Sequence, residues 1–268
     1  MSADPAAADA GAFDLEGVLD AAVLCLHGLT GTPYEVRTIG EACVRRGISA
    51  FGPALPGHGE TPEALRRIRS WHTWLDAARS HADALRRRYS RVFAAGLSMG
   101  GLLALALAAE DALDALVVVG TPLRLPLGVR IAVPLLWRVR PFQPKPGGSD
   151  IQDAAARARH PSYPVLPLRS VNELIKLQRW VRARLGRVHA PILVAHGALD
   201  QTASSADSRA ILEGVSSQES EFLLCHASGH VVPVDVDAPL LAETSASFLL
   251  RHTESTQIAA PSSANRTR

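Results

Sequence analysis

The sequence predicts an α/β protein with a mostly parallel sheet that is flanked by helices on both faces. Short apolar runs, typical of buried strands, alternate along the chain with longer segments of helical period. Strands that alternate with helices form parallel sheets through right-handed crossovers. The chain has 268 residues, of which 47% are hydrophobic and 20% are charged, so it is long enough for one globular domain with an insertion.

The strands of this sheet are predicted at the short apolar runs. In chain order these are AAVLCL (21–26), ISAFGP (48–53), RVFAAG (91–96), ALVVVG (115–120), PILVAHG (191–197) and EFLLCH (221–226). The helices are predicted where apolar residues recur at helical spacing. In chain order these are YEVRTIGEACVRRG (34–47, which Gly47 ends), WHTWLDAARSHADALRRRY (71–89), the segment 102–109 and PLLAETSASFLLR (239–251).

Residues 121–189 interrupt this alternation between two core strands. They are rich in proline and arginine and include one helical stretch, SVNELIKLQRWVRARLG. A structureless loop of this length is unusual, and ligands of open α/β sheets bind beyond the carboxyl ends of the strands. We therefore predict a helical cap insertion over that edge of the sheet. The core then comprises residues 20–120 and 190–252, with loose termini at 1–19 and 253–268.

The composition argues against several classes of protein. The net charge is only +2 and aromatic residues make up 5%, which predicts no nucleic-acid partner. No apolar run reaches the roughly 20 residues of a membrane-spanning helix, and the N-terminal sequence lacks the basic and apolar regions of a signal peptide. The three cysteines follow no spacing pattern, so we expect buried thiols and a cytoplasmic location. The oligomeric state is left open.

One turn in the chain carries a candidate nucleophile. The stretch RVFAAGLSMGGLLALALAAE (91–110) contains Gly-x-Ser-x-Gly between a predicted strand and a predicted helix. A sharp turn at this point strains the serine backbone and exposes its hydroxyl above the sheet, and Gly96 and Gly100 leave room for the chain. The alternative is that Ser98 is an ordinary serine that caps the helix. Because a serine hydroxyl is a weak nucleophile without a base, the partners of Ser98 decide between these interpretations.

The candidate general base is His230. It lies in the loop CHASGHVVPVD beyond the last predicted strand, where Gly229 permits a tight turn. A base should lie at the same edge of the sheet as Ser98, which the helical and terminal histidines do not. Other histidines at loops or strand ends are His27, His58, His196 and His226. We expect His27 and His196 to be structural imidazoles that bond to the backbone.

The candidate acid that orients His230 is Asp200, in the loop PILVAHGALDQTAS just beyond a predicted strand. A carboxylate in this role holds the imidazole tautomer, and the imidazole takes the proton of the serine. Asp207 is expected to be a charge in the first turn of the following helix. Asp235 and Asp237 follow His230 and could pair with the backbone of its loop.

Acyl transfer also needs hydrogen-bond donors for the negative charge that develops on the carbonyl oxygen. One predicted donor is the backbone N–H of Met99, the residue after the nucleophile. The other is the N–H of Leu29, in the early loop LCLHGLTGTPYE. The rival interpretation of this glycine loop is a phosphate cradle, but the loop lacks the Gly-Lys-Ser/Thr of such cradles.

In this order the motifs HGLTGTP, LPGHG, GLSMGG, HGALD and SGHVVPVD resemble the α/β-hydrolase superfamily, and within it the bacterial carboxylesterase and monoacylglycerol lipase branch. The resemblance implies a small helical cap and neither a metal nor an organic cofactor. The site residues that it implies are Ser98, Asp200 and His230 as the catalytic triad, with Leu29 and Met99 as oxyanion donors. Many relatives have Val-Pro after the acid, where this chain reads DQTAS.

Together, the triad and the resemblance predict a serine hydrolase that cleaves carboxylic esters through an acyl-enzyme. Its partner would be a small-molecule acyl ester of short to medium chain, or a monoacylglycerol-like lipid. An acyl thioesterase with the same triad is an open alternative, as is a ligand-binding protein of the same fold without turnover. Apolar residues of the cap could line an acyl site or pack the cap itself: Leu123, Leu125, Leu127, Ile131, Leu135, Leu136 and Trp137. The arginines of the cap could meet an anionic head group in transient contact with lipid, or face solvent: Arg130, Arg138 and Arg140.

Overall fold

The computed structural model describes residues 11–253, which form a seven-stranded sheet with helices on both faces. The strands are β1 (Phe13–Leu15), β2 (Ala21–Leu26), β3 (Ser49–Gly52), β4 (Arg91–Leu97), β5 (Ala115–Val119), β6 (Phe142–Pro144), β7 (Val165–Pro167), β8 (Ile192–Gly197) and β9 (Ser220–Cys225). The order across the main sheet is β1-β3-β2-β4-β5-β8-β9, and all neighbours are parallel except β1, which runs antiparallel to β3. The predicted mostly parallel α/β sheet is therefore confirmed.

The helices lie between successive strands along the chain, except α9, which follows the last strand. They are α1 (Tyr34–Arg45), α2 (Pro62–Arg67), α3 (His72–Arg86), α4 (Met99–Ala108), α5 (Leu127–Leu136), α6 (Ala154–Arg159), α7 (Leu168–Arg182), α8 (Ser205–Gly214) and α9 (Ala238–Arg251). Helix α2 is absent from the prediction, although Thr61 caps it by accepting the N–H of Ala64 and Pro62 opens it. Within the described range 11–253, no helix is long and apolar enough to cross a membrane.

Two apolar layers cover the sheet, because successive side chains of a strand point to opposite faces. One layer lies between the sheet and helices α3, α4 and α7, and the other between the sheet and helices α1 and α9. All ten residues of α4 are buried, so the helix that follows Ser98 runs through the centre of the first layer. The three cysteines are buried free thiols, as predicted.

The N-terminal segment differs from the prediction. Residues 1–19 are predicted to be loose, but Phe13–Leu15 add a strand to the edge of the sheet. The buried ring of Phe13 anchors this strand against Gly52, where a Cβ would lie 2.1 Å from the ring. A strand of three residues is too short for hydrophobic periodicity to reveal. The rest of the predicted loose termini, 1–10 and 254–268, lies outside the described residues.

Residues 121–189 lie between β5 and β8 and contain α5, α6 and α7, but they are not wholly helical. Strands β6 and β7 pair antiparallel as a separate two-stranded sheet. Prolines such as Pro144 and Pro167 end these strands, since proline breaks helices and is tolerated at strand ends and sheet edges. Val133 of α5 packs with Val171 and Ile175 of α7 in a small cluster of their own.

Candidate active site

Ser98 occupies the sharp turn between β4 and α4. Its backbone has φ +54° and ψ −111°, a conformation that non-glycine residues rarely adopt and that costs free energy. Its N–H donates to the carbonyl of Val119 at 2.8 Å, which pins the turn to β5. The Ser98 hydroxyl makes no capping hydrogen bond to the helix, so it is free for another role.

Glycines allow the chain to pass this closely through the turn. A Cβ on Gly96 would lie 2.3 Å from the backbone of Gly100, and a Cβ on Gly100 would lie 2.0 Å from the carbonyl oxygen of Leu26. Both contacts are with backbone atoms, which cannot rotate away. The two glycines of the Gly-x-Ser-x-Gly pattern are therefore required by the close packing of β4, α4 and β2.

We expect Gly96→Ala to destabilise the protein by about 3 kcal/mol, because the added methyl group overlaps the backbone of α4. Urea unfolding measures this change. The matched control is Gly128→Ala in α5, where a Cβ meets no atom within 4 Å and should stabilise the helix slightly. Equal stability of the two variants would contradict the packing argument.

His230 and Asp200 form a hydrogen-bonded pair at the carboxyl edge of the sheet. The distance from His230 Nδ1 to Asp200 Oδ2 is 2.8 Å, and the Asp200 side chain is fully buried. Its other oxygen accepts the N–H groups of Thr202 and Ala203. Burial opposes ionisation of Asp200, but these hydrogen bonds and the charge of His230 outweigh it and hold its pKa below the ordinary value. Because an ionised carboxylate only accepts, Nδ1 carries the proton and Nε2 is left as the base.

One cavity of about 660 Å³ brings the predicted residues together. Ser98, His230 and Leu29 all line it. Gly120, with φ +51°, lies against the pair, where a Cβ would be 3.3 Å from His230 Nδ1 and 3.4 Å from Asp200 Oδ2. Within residues 11–253, the Ser98 hydroxyl and His230 share the cavity without a hydrogen bond between them. Such contacts are often loose before a substrate binds.

The two predicted oxyanion donors flank Ser98. Met99 is the first residue of α4, and Leu29 lies in a turn closed by the N–H of Gly31 donating to the carbonyl of Gly28. In the described part of the chain, the N–H groups of Leu29 and Met99 have no acceptor. The start of a helix also favours negative charge. Both donors are thus available to an oxygen bound above Ser98.

Carboxylates hold the backbone of the loop that carries His230. Asp235 accepts four N–H groups, those of Gln152, Asp153, Gly229 and Val236. Asp237 accepts the N–H of Ala227 and the hydroxyl of Ser228, so both acids pair with the loop as predicted.

Asp150, from the 121–189 segment, is absent from the sequence prediction. Its carboxylate accepts the N–H of Gln201, and its carbonyl accepts that of Val231. These bonds join residues distant in sequence, so no local pattern marks Asp150.

The other histidines considered from the sequence lie outside the His230–Asp200 pair. His27 bonds to the backbone through both ring nitrogens, as predicted, with Nδ1 2.9 Å from the Gly28 carbonyl and Nε2 accepting the N–H of Leu55. His196 bonds to the backbone of Ala203, as predicted, and its ring also contacts the hydroxyl of Ser208 and lies 3.5 Å from Asp200 Oδ2. His58 is buried beside His27, and burial lowers its pKa to about 3, so it stays neutral.

The 121–189 segment contributes both apolar and polar residues to the cavity wall. The apolar members include Leu125, Pro126, Val129, Leu166, Val171 and Leu174, and the polar ones include Lys145, Ser149, Asp150, Arg157 and His160. Of the cap residues predicted for an acyl site, Leu125 alone belongs to this described wall. Leu127, Ile131 and Leu135 instead form the outward face of α5 and are 65%, 57% and 72% exposed. Leu123 and Trp137 pack within the protein, which is the alternative that the sequence left open for them. The apolar residues of α5 lie on more than one face, so composition does not identify the inner one.

The 11–253 range contains no cluster of His, Cys, Asp or Glu residues arranged to hold a metal ion.

Asp207 lies in the first turn of α8, as predicted, and accepts the N–H of Arg124. The site combines a half-buried serine, a carboxylate–imidazole pair and two backbone N–H groups that have no acceptor among the described residues. These groups can together activate a nucleophile and stabilise an oxyanion.

Comparison with known proteins extends this description. A model of the family described as serine aminopeptidase, S33, matches residues 17–237. A thermostable monoacylglycerol lipase of Bacillus sp. (strain H-257) is 30% identical over 236 residues, 86% of this chain and 90% of that one. A carboxylesterase of Bacillus subtilis (strain 168) is 25% identical over 230 residues, 86% of this chain and 92% of that one. A solved structure from the metagenome-derived lipolytic enzymes LipS and LipT has a TM-score of 0.84 and 28% identity, and covers 91% of this chain and 98% of that one.

Proposed function

The chain belongs to the serine aminopeptidase S33 family of α/β-hydrolases, and on this premise we propose that it hydrolyses carboxylic esters with an activated serine. The observation that carries the proposal is that a monoacylglycerol lipase and a carboxylesterase are each related to it over 86% of its length. The family takes its name from peptide hydrolysis, but both of these relatives are ester hydrolases. They lend no support to the thioesterase alternative or to a protein without turnover.

In the proposed mechanism, Ser98 attacks the acyl carbonyl of the ester while His230 Nε2 takes the proton of its hydroxyl. The tetrahedral intermediate collapses as His230 returns that proton to the leaving alcohol, which yields an acyl-enzyme. Water then attacks the acyl-enzyme with His230 as the base again, and the carboxylic acid leaves with Ser98 regenerated. Asp200 keeps the proton on Nδ1 throughout and stabilises the imidazolium that forms transiently.

The oxyanion of both tetrahedral intermediates is stabilised by the N–H groups of Leu29 and Met99. These donors are fixed by the turn at Gly28 and by the start of α4, so they need no reorganisation when charge develops. Their freedom from other acceptors among the described residues supports this assignment.

Residues 121–189 act as the cap of this site, over a core of residues 20–120 and 190–252. The apolar residues that they contribute to the cavity suit an acyl chain, and a cavity of about 660 Å³ has room for a short or medium chain and a small alcohol. Short- to medium-chain esters and monoacylglycerol-like lipids are the proposed substrate class. Transient contact with lipid and a cytoplasmic location stay predictions from the sequence.

We expect Val129→Trp to shift the chain-length optimum towards shorter acyl groups, because Val129 lines the cavity from α5. For a decanoyl ester kcat/KM should fall by about tenfold, while for an acetyl ester it should change little. The control is Ile131→Trp, which enlarges an exposed residue of the same helix. If both variants keep the wild-type profile, the acyl chain does not contact this wall.

The proposed activity is tested on p-nitrophenyl esters from acetate to palmitate, on matched thioesters and on aminoacyl p-nitroanilides. We expect turnover of the esters and labelling by a fluorophosphonate probe, which reacts with activated serines. Preference for the anilides would assign peptide hydrolysis instead, and preference for thioesters would restore that alternative. Absence of both turnover and labelling would overturn the proposal.

A further inference from the structure

A buried hydrogen-bonded pair, Glu35 and His160, connects the oxyanion loop, residues 28–31, to the 121–189 segment. Glu35, in the first turn of α1, accepts the N–H of Gly28 with Oε2 at 2.8 Å. Its other oxygen, Oε1, lies 3.0 Å from Nε2 of His160, and the two side chains are only 5% and 1% exposed. One carboxylate therefore holds both the residue before Leu29 and a residue of the insertion.

The hydrogen bonds continue through the insertion and return to the oxyanion loop. His160 Nδ1 lies 2.7 Å from the hydroxyl of Ser149, and the Lys145 ammonium donates to the hydroxyls of Ser149 and Ser162. The hydroxyl of Ser162 lies 3.4 Å from that of Thr30. The oxyanion loop is thus bonded to the insertion on both sides of Leu29.

The carboxylate of Glu35 suits this position in charge and in shape. Burial opposes its ionisation, but the hydrogen bond from His160 and the N–H of Gly28 together keep its pKa below the ordinary value. An ionised carboxylate accepts at both oxygens, as these two contacts require. Gly31 leaves the space that the Glu35 carboxylate fills, because a Cβ on Gly31 would lie 2.2 Å from that carboxylate.

We propose that Glu35 and His160 are positioning residues for the oxyanion hole. Glu35 fixes the peptide of Gly28 and so aims the N–H of Leu29, and His160 holds Glu35 in the orientation that does this. The hole is complete only while residues 145–162 of the insertion lie against the loop. This inference rests on the proposed function, since it concerns the donor that Leu29 supplies to the ester oxyanion.

The test compares Glu35→Ala, Glu35→Gln, His160→Ala, His160→Gln and the double alanine variant. For each, kcat and KM are measured on p-nitrophenyl butyrate, together with the affinity for an alkyl trifluoromethyl ketone. That ketone forms a hemiketal with the serine and places an oxyanion in the same hole. We expect Glu35→Ala to lower kcat by about 10²-fold with KM within about threefold, and to weaken ketone binding by a similar factor.

The other variants report how the two residues are coupled. Glu35→Gln should recover most of kcat, because its amide can accept from Gly28 and donate to the other tautomer of His160. His160→Ala should lower kcat by about tenfold and His160→Gln by less, since glutamine can still donate to Glu35. Removing His160 from the Glu35→Ala variant should cost nothing further if His160 acts through Glu35.

A matched control separates positioning from general support of the fold. Glu173 is as buried as Glu35, at 4% exposure each, and bonds to the N–H of Trp71 and to Lys176 outside the cavity. Glu173→Ala should lower Tm and leave kcat and ketone affinity unchanged. If Glu35→Ala and His160→Ala behave like Glu173→Ala, the positioning inference is wrong while the esterase stands. If Glu35→Ala does not fold, the two His160 variants decide by the same criteria. An inactive wild type would overturn the proposed function and this inference with it.

Discussion

Replacing Ser98 with alanine should lower kcat on p-nitrophenyl butyrate by about 10⁴- to 10⁶-fold and abolish fluorophosphonate labelling. The hydroxyl is the proposed nucleophile, and neither His230 nor the backbone donors can supply a covalent intermediate in its place. Stability should be unchanged, because the hydroxyl makes no capping hydrogen bond and alanine tolerates φ +54° no worse than serine. Steady-state kinetics and thermal unfolding measure the two effects.

Ser98→Gly sharpens this prediction. Glycine adopts positive φ without strain, so the variant should be inactive and yet more stable than wild type. A gain in stability with loss of activity is the signature of strain held at a functional residue. If either variant keeps activity within about tenfold of wild type, another group is the nucleophile and the assignment of Ser98 fails.

Asp200→Asn should lower kcat by about 10⁴-fold, the second-largest effect that we expect. The asparagine amide would donate towards His230 Nδ1 and favour the tautomer that carries its proton on Nε2. That tautomer cannot accept the proton of Ser98. The control is Asp207→Asn. Asp207 is also a buried carboxylate beyond β8, but it lies at the start of α8 and has no contact with His230. This control variant should leave kcat within about twofold.

Asp200→Asn should also change how the free energy of unfolding depends on pH. The folded state holds the pKa of Asp200 below its ordinary value, so the ionised carboxylate stabilises the fold above the unfolded pKa of about 3.9. That contribution is lost as pH falls through the lower folded pKa. The stability difference between wild type and Asp200→Asn in urea should therefore shrink as pH falls below about 3.9 and through the lower folded pKa. A constant difference would mean that the carboxylate is not stabilised in its charged form.

Sequence reasoning succeeded where local pattern determines geometry. The Gly-x-Ser-x-Gly turn requires backbone contacts that only glycine permits, and loops after parallel strands converge at one edge, which brings Asp200 and His230 together. It failed where contacts join distant segments. Asp150, Glu35 and His160 carry no local signal, because each acts on backbone or side chains that only the folded chain brings near.

The sequence also did not predict which face of α5 points inward. Its apolar residues recur on several faces, and the inward face is set by how α5 packs against α7 and the edge of the sheet. The antiparallel pair of β6 and β7 was not predicted for a related reason, since two three-residue strands among prolines give no periodic signal.

Some parts of the 121–189 insertion are bonded to the loops of the core and others are not, and this affects how the protein can evolve. Residues 150–153 are tied by the carboxylates of Asp150 and Asp235 to the loops that carry Asp200 and His230, so loss of the Asp150 carboxylate disturbs the loop of Asp200. Helix α5 takes no part in those bonds and presents exposed apolar residues on its outer face. Selection for a new substrate, in nature or in the laboratory, therefore has more freedom to change the outer residues of α5 than to change Asp150.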